Sequence, residues 1–307
     1  MSAVLLERDL WIERDLWIER ARAHAARADS LTAAHLARRA KGIAHPIEDF
    51  LFTYYSIKPS QLRRWTPGAG VALADFRAES DAKLIHPRYF HAVHNGAALA
   101  VDVGAFLARR EATARYIAEL LERTMSRPPQ FGCFGLHEWA MVYRLSSEQL
   151  RHRGLPLRIG HEATDRVVES HRIACSHFDA FRFFTPEAAP LNTLQPTRET
   201  QPDLEQSGCL HAGMDIYKWI GKLSPIVPGE VLLDAFELAR DIRIVDMQAS
   251  PYDVSGYGYD PIPIETAAGK REYAQLQRGF ADRGDLLRRR VLAAIDTVLA
   301  GATRGDG

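Results

Sequence analysis

Residues 13–41 contain neither proline nor glycine and are rich in Ala, Arg and Leu, a composition that favours helix over any alternative. Residues 105–127 have the same character. Asp102 is suited to cap their start, and Pro128-Pro129 stops them. Helical patterning returns in HAGMDIYKWIGKL from His211, in PGEVLLDAFELARDIRIVDM and over residues 272–299, and a shorter helix is expected over 160–170. Only residues 66–104 break the trend, with Gly, Pro and alternating runs such as GVALADF and AALAVDV that suggest two or three antiparallel strands. Residues 172–176 suggest one more strand. The expected fold is therefore mainly α with a minor antiparallel β component, in a single globular domain over residues 13–301. Residues 1–12 form an N-terminal extension and residues 302–307 a frayed tail. Asp29 and Ser30 are expected to mark a break or a second N-cap within the first helical stretch.

The hexamer ERDLWI occurs twice in succession, at residues 7–12 and 13–18. Six residues is not a helical period, so the copy rotates the apolar stripe instead of extending it. It reads as a slipped duplication in an exposed helix. The chain has 307 residues and balances 39 basic against 39 acidic side chains, which argues against wholesale coating of nucleic acid. Lysine occurs at only six positions, so the positive charge is carried mostly by arginine. Cys133, Cys175 and Cys209 are widely spaced with no CxxC pair, a pattern suited to a reducing cytoplasm rather than to a disulfide framework. No apolar run approaches about 18 residues, and neither a secretory signal nor a membrane partner is expected.

The unusual chemistry is concentrated in residues 172–215. His177 and Asp179 lie among Phe178, Phe181, Phe183 and Phe184; a long breaker-rich connection over 185–208 follows, and then come His211 and Asp215. Imidazoles and carboxylates among aromatic rings sit where desolvation shifts their pKa values. His177 and Asp179 are two apart, which in extended chain points them to one side; His211 and Asp215 are four apart, which in a helix shares a face. Together they form a possible set of two histidines and two carboxylates for a divalent metal such as Fe, Mn or Zn. Without a metal, Asp179 or Glu138 is a candidate general base for water, with His177 or His211 orienting it.

Other candidates surround this set. HPIEDFLFTYYSIKP is dense in aromatics, and Tyr54 and Tyr55, like Trp139, offer stacking surfaces for a planar ligand or filling for a core. Arg182 and Asn192 supply donors, with Asn192 lying on a connection whose length suggests a lid or a disordered insert. Lys218, three residues after Asp215, is an ion-pair partner or a buried nucleophile. His137-Glu138 is not the zinc-protease motif HExxH, because Met141 occupies the second histidine position. His86, His91 and His94 form a second possible metal cluster.

Four segments, HPIEDFLFTYYSIKPSQLRRW, FGCFGLHEWAMVYR, CSHFDAFRFFTPEAAPLN and LHAGMDIYKW, resemble an actinobacterial group generally labelled 3-methyladenine DNA glycosylase. The similarity runs from about residue 13 to residue 290, with the duplicated hexamer as a departure. It implies base excision, the hydrolysis of the N-glycosidic bond of an alkylated purine in duplex DNA, with no cofactor required. The helix-hairpin-helix signatures LxGxGxxTA and GPK are absent, and no residue role is carried over with the resemblance. Beside it stand two other functions that suit the residues: a metal-dependent hydrolase or oxygenase acting on a small planar metabolite, and a non-enzymatic binding protein whose polar seam supports the long connection.

Overall fold

The computed structural model describes residues 10–152 and 154–304, with side chains to residue 300. In chain order its strands are β1 (Leu10–Ile12), β2 (Val71–Ala74), β3 (Phe90–Val93) and β4 (Ala98–Val101). The helices are α1 (Arg14–Ala40), α2 (Phe50–Tyr54), α3 (Pro59–Leu62), α4 (Ala78–Asp81), α5 (Val103–Ser126), α6 (Leu136–Ala140), α7 (His161–Ser170), α8 (Phe178–Phe181), α9 (Gln201–Leu204), α10 (Leu210–Leu223), α11 (Gly229–Gln248) and α12 (Ala267–Arg304). No helix among the described residues is long and apolar enough to cross a membrane.

The centre of the molecule is the pair α10 and α11. Both are buried on nearly every side, as expected of helices that are apolar around most of their circumference. Gly213 permits their close approach, since a Cβ there would stand 2.9 Å from the Cδ1 of Ile242. α5 and α12 pack around this pair, and α1 lies against α11 on another side. One large apolar cluster joins these elements through Phe106, Trp139, Tyr217, Phe236 and Val291. The fold is mainly α and forms one domain, as the composition predicts.

The strands form one sheet in the order β1-β2-β4-β3. The β2-β4-β3 portion is the expected antiparallel piece, with Leu73 opposite Leu99 and Ala92 opposite Leu99 on the other side. β1 adds to β2 in parallel, pairing Leu10 with Val71. This corrects the reading of the hexamer. Residues 10–12 of the first copy are a strand whose Ile12 enters the core, while the second copy begins α1. Residues 1–9 and 305–307 lie outside the described residues, and α12 continues through the first part of the expected tail.

Two further local expectations are corrected. α1 runs unbroken through Asp29 and Ser30, because both side chains are exposed and Asp29 pairs outward with Arg63 at 2.9 Å. Residues 172–176 form no strand: Ile173 makes one isolated bridge with Asn192, and the backbone of Cys175 is satisfied by a side chain instead. The Asn192 amide accepts from Cys175 N at 2.7 Å and donates to Cys175 O at 2.9 Å and Leu194 O at 2.7 Å. That carboxamide closes the connection onto the body of the protein, so it is a clip rather than a free donor for a ligand.

Candidate functional site

Four helices bring the charged residues together. Gly135, at φ +70°, makes the left-handed turn that starts α6 and sets His137 and Glu138 inward. α8 carries Asp179, with His177 at its N-cap. This differs from the extended geometry expected for that pair, and the two side chains have different partners. α10 presents His211, Asp215 and Lys218, and α11 presents Arg243 and Asp246.

Asp215 organises the first network. Its carboxylate is buried, accepts from the Tyr55 hydroxyl at 3.0 Å and is bonded by Lys218 Nζ. Lys218 also reaches Asp179 at 3.1 Å. His177 Nε2 lies 3.2 Å from Glu205 and 3.4 Å from Asp215, shared between the two carboxylates with no well-aligned hydrogen bond to either. Burial opposes charge on His177, yet Glu205 and Asp215 outweigh it and raise its pKa. Burial likewise disfavours a charged Lys218, but Asp215 and Asp179 raise its pKa above the ordinary value. Lys218 is therefore a protonated ion-pair partner, which removes the nucleophile reading and leaves its donors taken up within the protein.

The second network is buried at the α6–α11 contact. His137 Nε2 is 2.8 Å from Asp246 Oδ1, and Arg243 Nη1 bridges Asp246 Oδ2 at 3.3 Å to Glu138 Oε1 at 3.2 Å. Burial and the nearby Asp246 raise the Glu138 pKa. His211 stands between the networks, its ring 4.4 Å from His137 and 5.4 Å from His177, centre to centre. Burial and the two neighbouring histidines push its pKa well down, so it is neutral.

An aromatic cavity of about 310 Å³ opens beside these groups, and Glu138, Asp179, His211, Tyr54 and Tyr55 all line it. Phe50 and Tyr54 stack at 5.0 Å on its wall. The guanidiniums of Arg151 and Arg182 both lie 4.1 Å from the Phe183 ring, and Arg182 Nε is 3.1 Å from Asp179. A second cavity of about 490 Å³ lies on another side of His211, bordered by His137, Cys133, Cys175 and Cys209.

Most of the expected residues thus converge, and besides Asn192 the exceptions are Trp139 and both expected metal clusters. Trp139 is wholly buried and donates its indole N–H to Ala249 O at 2.9 Å, so it is core and cannot stack on a ligand. The four-ligand metal set is not assembled, because Asp179 and Asp215 both bind Lys218. Among the described residues, His86, His91 and His94 do not form a metal-ligating cluster either. The sequence reading missed Glu205, Arg243 and Asp246. For the last two a signal exists: with Phe236 and Ala239 they fall at steps of three and four along the buried stripe of α11, where a charge requires a partner.

His152, on the cavity wall, is expected to make stability fall in acid. Burial and the nearby Arg243 and Arg151 depress its pKa to about 4, and its ring abuts Tyr252. An unfolded chain binds that proton near pH 6.5 and the folded chain does not, so stability declines as pH drops from about 6.5 to about 4, by roughly 3 kcal/mol at full extent. Urea unfolding of wild type and His152→Gln across that range checks this; parallel pH curves would refute it.

Comparison with known proteins gives no match: no family model, no curated protein and no solved structure is significantly similar to this chain.

Proposed function

We propose that this protein is a DNA repair glycosylase that hydrolyses the N-glycosidic bond of alkylated purines. The observation that carries the reading is the aromatic cavity with two carboxylates on its wall, Asp179 and Glu138. About 310 Å³ is within the range of small-ligand sites and accommodates a flipped purine. The Phe50–Tyr54 stack supplies a flat face for the base. Arg182 and Arg198 stand beside Asp179 with side chains 42% and 61% accessible, and exposed Arg151 adds a third cation for phosphate contact. Lys222 lies in the field of Lys218, Arg198 and Arg110, which extends the positive strip. The four-segment resemblance to the 3-methyladenine glycosylase group supports the same assignment.

Asp179 is the residue best suited to orient water. Lys218, Arg182 and Arg198 fix its carboxylate from three directions at 3.1–3.5 Å. As the glycosidic bond breaks, its electron pair leaves with the base, and the positive charge of an alkylated purine is thereby neutralised. The sugar becomes oxocarbenium-like, and the carboxylate stabilises it while accepting a proton from the water that adds to C1′. Glu138 contacts the base from the cavity wall. No metal is required for this route.

Purified protein is expected to release methylated purine from alkylated duplex DNA and to bind that DNA with an affinity that falls steeply with salt. Intact alkylated DNA together with salt-independent or absent binding would overturn the assignment.

A further inference from the structure

We propose that His137, His211 and Asp246 form a binding site for one divalent transition-metal ion of the Zn²⁺ or Fe²⁺ class. The three residues come from α6, α10 and α11, and one ligand atom from each lies within 4.8 Å of the other two. This set shares only His211 with the four residues singled out in the sequence. Two imidazole nitrogens and one carboxylate oxygen suit a borderline cation and disfavour Mg²⁺ or Ca²⁺, which prefer all-oxygen shells.

Two of the three ligands are oriented from behind. His137 Nδ1 faces Cys133 Sγ at 3.8 Å, which leaves Nε2 toward the site. Asp246 Oδ2 faces Arg243, which leaves Oδ1 for coordination. The His211 ring, packed between two other imidazoles, is partly open to both cavities, and its nitrogens have no hydrogen-bond partner among the described residues. An imidazole that opens onto a cavity without a protein partner is placed to coordinate. The charged groups facing the triad are Arg243 with Glu138 beyond it on the α11 side, and His177 with Asp215 beside His211. The cation of Arg243 is offset by the Glu138 and Asp246 carboxylates, and metal entry displaces the proton that His137 and Asp246 otherwise share.

His211 borders both the 310 Å³ and the 490 Å³ cavities. Coordination positions beyond the three side chains therefore open onto space where water or a ligand can bind, the mark of a reactive rather than a closed structural site. The inference does not rest on the glycosylase reading, since the test below reads metal and not excision.

The full-length chain, stripped with chelator, would be titrated with Co²⁺ as a visible-absorbing probe and then with Zn²⁺ in competition. His211→Gln removes a cavity-facing ligand without opening the core, and far-UV circular dichroism verifies its fold. His177→Gln is the control, because its ring lies beside His211 but outside the triad. Wild type is expected to bind about one equivalent, with affinity at least about 100-fold weaker in His211→Gln and unchanged in His177→Gln. Zn²⁺ should raise the melting temperature of wild type and not of His211→Gln. The proposal is overturned if wild type takes up neither ion, if His211→Gln binds as wild type does, or if His177→Gln loses as much affinity as His211→Gln.

Discussion

Replacing Asp179 with asparagine is expected to lower the rate of methylpurine release by about 10²–10³-fold, with modest change in DNA affinity. Asparagine keeps the size of the side chain and one acceptor oxygen, but it neither takes up a proton nor offsets developing positive charge at C1′. Lys218 remains paired with Asp215 in the variant, so the surrounding network retains its main ion pair. The loss should therefore fall on the single-turnover rate rather than on binding, and the unfolding transition should stay cooperative. A variant that excises within about threefold of wild type would remove Asp179 from the chemistry.

The largest expected effect on stability comes from Asp215→Ala. This carboxylate holds Lys218, the Tyr55 hydroxyl and half of the His177 contact, all within the buried body of the protein. Its pKa is depressed, since His177 and Lys218 together overcome the burial that would otherwise raise it. Truncation leaves two cations sharing Asp179 and Glu205, and removing one partner of a buried pair costs about 3–5 kcal/mol. Adding Lys218→Met should recover part of that loss, because the cation no longer needs a counter-charge. Urea denaturation of both singles and the double variant measures the coupling. A single-variant loss below about 1 kcal/mol, or strict additivity, would show that the network is not cooperative.

Local physics made much of this molecule readable from its residues. The Asp102 cap is realised by a 2.8 Å bond from Ala105 N, and α10 places His211 and Asp215 one turn apart as four-residue spacing requires. The aromatic segment forms only a short helix that ends at Tyr54, and Pro59 opens α3 as its first residue. The errors arose where a distant partner decides the outcome. Asp29 and Ser30 resemble a helix start, but nothing outside α1 competes for that backbone. Cys175 resembles strand, but the Asn192 side chain replaces the neighbouring strand. Asp246 is one carboxylate among many until α10 and α11 are packed, and Glu205 is uninformative until the long connection folds back on His177. That connection is ordered by Asn192 and by Gln201, which bonds Glu205 at 2.5 Å. Pairwise spacing along the chain carries no information about such closures.

The repeated hexapeptide offers a natural experiment in conformational choice. Identical Leu-Trp-Ile triplets occupy an edge of the sheet in one copy and a turn of α1 in the next; Trp11 is 42% accessible while Trp17 is completely enclosed. Intrinsic preference is the same for both, so the difference belongs entirely to their surroundings. Pairing with β2 draws the first triplet into extended chain, while packing against the sheet and Ala74 O encloses Trp17 on α1.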